Sequence, residues 1–399
     1  MASGARIAVG WLLARLRDLW LMLGAAIVLL VLAECVLDLA FALTRPHGAA
    51  VQTHVQADAY GDATWPDAYY REHRRLKAQW WPFVYWRTNP FRGRFITVGE
   101  DGLRVTPAPP ERPRGPGEAP LRVFLFGGST MWGMGARDEG TIAAAVWQEL
   151  AAAGVDAEVV NMGMLGYVSR QEGIALMLEL AHDNVPDVAV FYDGINDVDA
   201  VVQGEAPGTP LNEAHRRDEF NLVHVDRGPE VDRLFMLRHW GRSSLLRFAR
   251  AIIRRVAPGV LGPTRPGAPV VADADSLADA VVDEYLANVR WIANLGREYG
   301  FDTLFYWQPA VFTKAQRTDF EQLQHEVAGA HRDFFLKTRA HLLARARAAD
   351  AAPVEDLGNV FGQSSAPVFV DWMHLGETGN AVVGARIAGD IEALMETAR

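Results

Sequence analysis

Short apolar runs alternate with longer amphipathic stretches along the chain from its second quarter onwards. Residues 121–127, 157–163 and 186–194 have the apolar pattern of buried strands, and a helical pattern follows each of the first two. A helix over about 275–299 leads to the strand DTLFYWQP, and a last helical pattern covers 377–395. This alternation predicts an α/β fold, a three-layer sandwich whose central parallel sheet is flanked by helices.

Two segments interrupt this alternation. Residues near 200–272 are rich in glycine, proline and charge, with one basic helical stretch that ends in RSSLLRFARAIIRRV. Residues 313–350 form a long polar helical region. We predict that both are insertions into one domain that spans residues 121–399. In a sheet of this kind, functional residues collect at the carboxyl ends of the strands.

The N-terminal part of the chain carries the longest apolar run. Residues 19–33 are unbroken apolar, and the run extends over 19–43 if Glu34 and Asp38 are tolerated near one end. About 20 apolar residues suffice to cross a bilayer as a helix. We therefore predict a transmembrane helix over residues 19–43.

Charge around this helix predicts its orientation. Three arginines precede it and only Arg45 follows closely, so the positive-inside bias places residues 1–18 in the cytoplasm. The domain that follows is then extracytoplasmic, on the periplasmic side of an inner membrane. A cleaved signal peptide is the alternative, because Ala40 and Ala42 form a small-x-small site after an apolar stretch.

Composition narrows the range of partners and cofactors. The net charge is -10 and the basic residues are scattered, which makes nucleic acid an unlikely partner. A single cysteine, Cys35, excludes an internal disulfide and a thiolate metal site. No pair of histidines at helical ligand spacing is supported by an acid, so the sequence predicts no metal and no other cofactor.

Residues 44–120 are predicted as a membrane-proximal region rather than a catalytic core. They contain the aromatic cluster QWWPFVYW at 79–86, a hairpin pattern around an Asp101-Gly102 turn, and a proline-rich linker, PAPPERPRGPGEAP. Aromatic clusters most often belong to a core. The bolder alternative is a sugar-stacking platform, formed by Trp80, Trp81 and Trp86.

Polar residues follow each of the first three predicted strands, and one more pair precedes the last helix. These residues are Ser129, Asn161, Gly163, Gly194, Asn196, Asp197, Asp371 and His374. Acyl transfer by a hydroxyl nucleophile needs a base to take its proton, an acid to orient the base, and preorganised donors for the oxyanion. Residues of all three kinds stand at these ends.

The motifs GGST, NMG, GIND and DWMH, in this order, resemble those of the SGNH hydrolases, also called GDSL-type esterases and acyltransferases. The resemblance covers about residues 121–397, apart from the insertions, and implies an SGNH or flavodoxin-like sheet. It also implies that Ser129 attacks the substrate carbonyl, that His374 acts as general base and then acid, and that Asp371 orients the imidazole.

The same resemblance implies three oxyanion donors: the backbone amides of Ser129 and Gly163 and the side-chain amide of Asn196. One position departs from the family pattern, because the aspartate that precedes the nucleophile in the family is replaced here by Gly128.

The function expected from the sequence is that of a membrane-anchored extracytoplasmic serine esterase. Its first expected substrates are O-acetyl or other short acyl esters of cell-envelope carbohydrate or lipid. The alternatives are an O-acyltransferase that passes the acyl group to a glycan and a non-catalytic assembly factor with the same fold. A membrane-embedded acyltransferase is a candidate partner.

Overall fold

The computed structural model describes six stretches of the chain: residues 2–44, 54–107, 119–224, 243–256, 273–346 and 353–397. The chain divides into two compact units. The smaller unit comprises residues 1–48 and 215–266, and the larger comprises residues 49–214 and 267–399. The proline-rich linker lies largely outside the described residues.

The elements are numbered along the chain. The strands are β1 (Ala78–Trp81), β2 (Tyr85–Thr88), β3 (Phe91–Arg92), β4 (Thr97–Val98), β5 (Leu121–Gly127), β6 (Ala157–Asn161), β7 (Val188–Asp193), β8 (Asp302–Trp307) and β9 (Val354–Asp356). The helices are α1 (Ala2–Thr44), α2 (Pro66–His73), α3 (Ser129–Trp132), α4 (Ile142–Ala152), α5 (Ser169–Leu180), α6 (Ile195–Val202), α7 (Glu213–His224), α8 (Ser244–Val256), α9 (Ala274–Tyr299), α10 (Asp319–Val327), α11 (Gly329–Ala346) and α12 (Glu377–Thr397).

A five-stranded parallel sheet forms the centre of the larger unit, in the order β6-β5-β7-β8-β9. The central strand β7 is buried along its whole length, as expected for a parallel strand covered on both faces. Phenylalanine rings cross the sheet in stacked pairs, with centroids 4.7 Å apart for Phe126 and Phe191 and 5.3 Å apart for Phe191 and Phe305. The strand order reverses between β5 and β7, so their carboxyl ends flank the crevice in which such sheets bind ligands.

Two groups of helices flank this sheet. Helix α12 packs on α4, while α9 packs on α5, α6 and α11. Helix α9 starts where the Asp273 side chain accepts the Asp275 N–H, and it ends at Gly300 with φ +80°, a left-handed cap. The predicted three-layer α/β arrangement is confirmed.

The individual strand and helix predictions are largely confirmed, with two differences. The polar region 313–350 contains two helices, α10 and α11, which meet at Gly329 with φ +43°. The edge strand β9 was not predicted, because three residues are too short to show an alternating pattern.

Residues 54–107 belong to the larger unit and contribute two hairpins. The aromatic cluster itself forms the first, in which β1 pairs with β2, and β3 pairs with β4 in the second. The hairpin predicted around Asp101-Gly102 is present only as a single bridge between Val98 and Arg104, with Gly102 at φ +80°. Extended pairing occurs before this turn instead.

This region packs on the part of the larger unit that carries the predicted site residues. A second apolar core joins it to Trp132, close after Ser129, and to Val370, next to Asp371. The other buried members of this core are Ala57, Tyr60, Tyr69, Tyr70, Phe95, Ile96 and Val98. The region is therefore part of the structure that surrounds the candidate site.

The smaller unit is built around α1. One helix, Arg15–Ala40 within α1, is long and apolar enough to cross a membrane, a property that it shares with signal sequences. Near its end, Glu34 accepts the Ser243 hydroxyl at 2.8 Å and the Leu245 N–H at 3.0 Å, and Asp38 accepts the Ser244 hydroxyl. The two acids of α1 thus hold the start of α8, the basic helical stretch predicted from the sequence.

Candidate active site

The candidate nucleophile stands at the turn between β5 and α3. Strand β5 ends at Gly127, Gly128 is the N-cap, and Ser129 is the first residue of α3. The helix closes after one turn at Gly133, whose φ of +93° is left-handed. The Ser129 side chain is half-buried, and its Oγ lies 2.7 Å from Nε2 of His374. Nucleophile and base are thus within hydrogen-bond distance.

The candidate base and acid share one loop before α12. Nδ1 of His374 lies 2.6 Å from Oδ2 of Asp371, while Oδ1 accepts the N–H groups of Met373 at 2.8 Å and His374 at 2.7 Å. Because the carboxylate accepts backbone donors two and three residues onward, the loop folds back on itself in an Asx turn. The three-residue spacing therefore sets the imidazole against its acid.

Electrostatics keep this acid ionised. Burial raises the pKa of Asp371, but the opposing effects of His374 and His54, through charge and hydrogen bonds, hold it well below its usual range. An ionised carboxylate accepts hydrogen bonds and donates none, so Nδ1 of His374 carries the hydrogen and Nε2 is left to accept the hydroxyl proton of Ser129. The arrangement fits general-base catalysis.

Two of the predicted oxyanion donors follow β6 and β7: Gly163 comes after β6, and Asn196 lies in the first turn of α6 after β7. Gly194 precedes α6 with φ +115°, and a side chain there would collide with the Trp307 ring at 2.7 Å. Asn196 follows, and its Nδ2 donates to the Tyr167 carbonyl at 2.6 Å. Since an amide group has two N–H donors, this bond orients the second N–H.

The second predicted donor is already engaged. The Gly163 N–H donates to Oδ1 of Asn161 at 3.0 Å. A backbone amide has one hydrogen, so Gly163 stabilises an oxyanion only if Asn161 shares that hydrogen. The Asn161 side chain also donates to the Met131 carbonyl at 3.1 Å, which ties β6 to α3.

The absence of a side chain at Gly128 has a steric reason. A Cβ built at this position would lie 2.1 Å from Nδ2 of Asn196. The close approach of Asn196 is therefore sufficient to explain the glycine. The departure from the family pattern thus makes room for a predicted oxyanion donor.

Arg104, in the membrane-proximal region, contacts the segment that follows Ser129. No sequence motif predicted this role. Its guanidinium is fully buried and donates to the carbonyls of Gly133 at 2.6 Å and Ala136 at 2.8 Å. It also pairs with Asp138 at 2.9 Å and lies over the Trp132 ring at 4.5 Å. These contacts hold the chain that leaves α3.

A buried ion pair supports the loop of the acid and base. Lys314 pairs with Glu321, both with fully buried side chains, and Nζ of Lys314 also donates to the Ala366 carbonyl at 2.6 Å. Oε1 of Glu321 accepts the N–H groups of Val368 at 2.9 Å and Phe369 at 3.2 Å. The predicted insertion at 313–350 therefore anchors the chain that leads into Asp371.

Three buried acids lie close to the start of α6, the helix that carries Asn196. Burial raises the pKa of Asp193 to about 8 and that of Asp197 to about 6, and it raises the pKa of Glu172 well above its usual range. Asp197 accepts the Ser169 hydroxyl at 2.7 Å, which holds the start of α5 against α6. Asp197 therefore has a structural contact and lies outside the Ser-His-Asp arrangement.

Five aromatic or sulfur-containing residues are neighbours of the motifs in sequence. Four of them are at most 2% exposed and belong to the core: Trp132, Met164, Tyr167 and Tyr192. Trp372 is half-buried and stacks on Phe312, with ring centroids 5.5 Å apart.

Comparison with known proteins gives matches among solved structures alone. No family model matches the chain, and no curated protein matches it. The matched structures include GDSL-type hydrolases and esterases. Est24, a carbohydrate acetylesterase from Sinorhizobium meliloti, is 13% identical with a TM-score of 0.35, and the match covers 68% of this chain and 99% of that one.

Two further structures show the same level of similarity. A GDSL-like lipase from Bacteroides thetaiotaomicron is 11% identical (TM-score 0.34, covering 69% of this chain and 89% of that one). An aryl esterase from M. smegmatis is 14% identical (TM-score 0.36, covering 68% and 99%). The helix-flanked parallel sheet fits the SGNH fold. At TM-scores below 0.5 these likenesses carry no argument about activity, so the functional argument rests on the geometry of the site.

Proposed function

We propose that this protein is a serine esterase that cleaves short acyl esters, first of all O-acetyl groups of cell-envelope carbohydrate or lipid. One observation carries the proposal: a continuous chain of hydrogen bonds, 2.7 Å from Ser129 to His374 and 2.6 Å from His374 to Asp371. A hydroxyl, an imidazole and a carboxylate in this order form the arrangement that activates a serine for attack on a carbonyl. The hydrogen-bonded geometry of all three groups argues against a non-catalytic assembly factor.

The reaction proceeds in two balanced stages. His374 takes the hydroxyl proton as Oγ of Ser129 bonds to the ester carbon, and the negative charge on the carbonyl oxygen is stabilised by backbone amides and the Asn196 side chain. Collapse breaks the ester bond, the leaving alcohol takes the proton from His374, and an acyl-serine remains. Water then attacks the acyl-serine. His374 takes a proton from the water as base and returns it to Oγ of Ser129 as acid, and the carboxylic acid is released.

The nucleophile is tested on the full chain in detergent. Ser129→Ala should abolish both hydrolysis of a chromogenic acetyl ester and labelling by a fluorophosphonate probe, because no other group can form the acyl-enzyme. Ser365→Ala, at an exposed serine, is the matched control and should behave as wild type. Undiminished labelling of a folded Ser129→Ala protein would falsify the assignment.

A transferase is the second candidate function, because exposed aromatic residues adjoin the site. Trp80 is 66% and Phe83 is 73% exposed on the β1-β2 hairpin. The strand β2 residue Trp86 packs edge-on against Tyr167, with ring centroids 5.4 Å apart, and Tyr167 in turn accepts the amide of Asn196. Aromatic faces stack well on sugar rings, so this hairpin supports an acceptor glycan beside the nucleophile.

The backbone of this hairpin adds to that argument. Phe83 and Tyr85 have φ of +67° and +74°, values that aromatic residues rarely adopt. Each such conformation costs about 1 kcal/mol or more, and costs of this kind cluster at functional sites. The strained turn keeps an apolar ring in solvent, which folding alone does not favour.

Acceptor dependence separates the two functions. In an esterase, added polysaccharide leaves the deacylation rate unchanged; in a transferase, it speeds deacylation and acylated glycan accumulates, detectable by mass spectrometry. A Trp80→Ala variant should lose any acceleration, whereas Tyr299→Ala, at a 46% exposed tyrosine that ends α9, should keep it. Equal acceleration in both variants would exclude the hairpin as the acceptor site.

We propose further that α1 anchors the protein in the inner membrane with the larger unit exported. The apolar span and the arginines before it support this topology. A reporter fused after Arg399 should be active only in the form that requires export, and activity of a cytoplasmic reporter would contradict the proposal. A mature N-terminus near residue 43 would replace the anchor with a signal peptide.

A further inference from the structure

A fourth side chain contacts the triad from outside its motifs. Nε2 of His54 lies 3.1 Å from Oδ2 of Asp371. The same oxygen accepts Nδ1 of His374 at 2.6 Å. His54 lies in the membrane-proximal region, which carries no SGNH motif, and neither the proposed mechanism nor the sequence assigns it a role.

The position of His54 is built by several contacts. Its ring stacks on Tyr70, with centroids 5.5 Å apart and planes inclined by 20°. The Tyr70 hydroxyl lies 2.8 Å from that of Tyr60, and Tyr60 donates to the Gly135 carbonyl at 2.8 Å, close after α3. The imidazole is therefore fixed by the same aromatic group that packs beside the nucleophile, and its side chain is only 21% exposed.

The contact changes how Asp371 is held. Oδ1 is fixed by two backbone amides, but among the described residues only His374 and His54 have a side chain in contact with Oδ2. Two donors at one oxygen define its direction more closely than one, so they limit rotation of the carboxylate.

Among the described residues, the ionisable groups that interact with His54 are Asp371, the stacked Tyr70 and, through charge, His73 on α2. His374 contacts the same carboxylate oxygen, and Tyr60 contacts Tyr70. Burial raises the pKa of both tyrosines far above neutral, and burial, with Arg104 and His374, lowers the pKa of His73 to about 4. Between pH 5 and 9 the two tyrosines and His73 thus remain uncharged.

We propose that His54 is a positioning residue for the triad: it holds the carboxylate of Asp371 in the orientation that the His374 imidazole requires. This inference rests on the proposed function, because it assigns His54 a role in the same reaction. The membrane-proximal region is then part of the catalytic apparatus rather than a spacer.

The test compares two replacements in the full chain in detergent. His54→Phe keeps a ring that stacks on Tyr70 but removes the donor, and His54→Gln restores a neutral donor at a similar reach. His54→Phe should lower kcat/KM for a chromogenic acetyl ester about tenfold, the effect of one lost hydrogen bond to a charged group.

The second replacement and a control complete the design. His54→Gln should recover most of the rate, which a merely structural role for the histidine would not predict. Val55→Ala, which trims the neighbouring residue in the same core, should leave kcat/KM unchanged. A wild-type kcat/KM in His54→Phe would overturn the proposal while the serine esterase assignment stands.

One further measurement does not depend on an enzymatic assay, so it tests the role of His54 even if the protein does not hydrolyse esters. The Nδ1 proton of His374 lies between two heavy atoms only 2.6 Å apart, Nδ1 and Oδ2 of Asp371, and should resonate far downfield in the proton NMR spectrum. Its position should change in His54→Phe and stay the same in Val55→Ala, whether or not the protein hydrolyses esters. If Ser129-dependent hydrolysis is absent, an unchanged resonance in His54→Phe still overturns the positioning role.

Discussion

A methyl group added at Gly128 should impair the candidate oxyanion site without touching the triad. The new Cβ would lie 2.1 Å from Nδ2 of Asn196, whereas such contacts are essentially never shorter than 3.0 Å, so the amide must move by about 0.9 Å. The effect of Gly128→Ala on the rate should therefore pass through Asn196.

The magnitude follows from the displacement. A misplacement of about 1 Å costs roughly 100-fold in rate, and loss of one oxyanion donor costs about 100 to 1000-fold, or about 2.7–4 kcal/mol. We therefore expect kcat of Gly128→Ala for a chromogenic acetyl ester to fall about 100-fold. Gly389→Ala is the matched control, because a Cβ there meets no atom within 4 Å, and its kcat should equal that of wild type.

A double-mutant cycle identifies the route of this effect. Asn196→Ala removes the donor directly, so the Gly128→Ala, Asn196→Ala double variant should be no slower than Asn196→Ala alone. Losses that multiply in the double variant would show that Gly128 acts on something other than Asn196. A Gly128→Ala enzyme with wild-type kcat would refute the steric reasoning altogether.

Two predictions concern stability of the full chain, followed by tryptophan fluorescence in detergent. Lys314→Met leaves Glu321 buried without its partner, which should cost about 3–5 kcal/mol of stability and lower the apparent melting temperature by roughly 6–20 °C. The double variant Lys314→Met, Glu321→Gln should recover part of this loss. An unchanged melting temperature in the single variant would contradict the role of the pair. Burial raises the pKa of Asp193 to about 8, so between pH about 4 and 8 the folded state binds more protons than the unfolded chain and stability should fall as pH rises. Asp193→Asn should flatten that fall, and an unchanged slope would contradict the assignment.

The strand-end motifs could be predicted because they depend on local pattern. A buried run such as 188–193 and the polar residues after it are adjacent in sequence, and parallel strands place their carboxyl ends at one edge. Ser129, His374 and Asp371 were therefore predicted as neighbours, and the structure brings them together. The predicted catalytic roles of these residues stay predictions until activity is measured.

The supporting contacts could not be predicted, because each joins segments distant in the chain. His54 meets Asp371, and Arg104 meets the carbonyl groups after α3, without any spacing rule that links them. The burial of Lys314 could not be predicted from a polar helical pattern either, because Lys314 and Glu321 would give the same pattern on a solvent-exposed helix. Trp80 was assigned to a core by composition and is exposed, because the position of a hairpin face depends on tertiary packing.

The pairing of α1 with α8 has a consequence for producing the enzyme. Removing an apolar N-terminal helix is the usual route to a soluble form of an anchored protein. Here that truncation would also delete Glu34 and Asp38, which accept the first N–H and hydroxyl groups of α8, and would leave an arginine-rich amphipathic helix without its cap. A soluble version should therefore omit residues 215–266 together with α1, because these two segments form one compact unit.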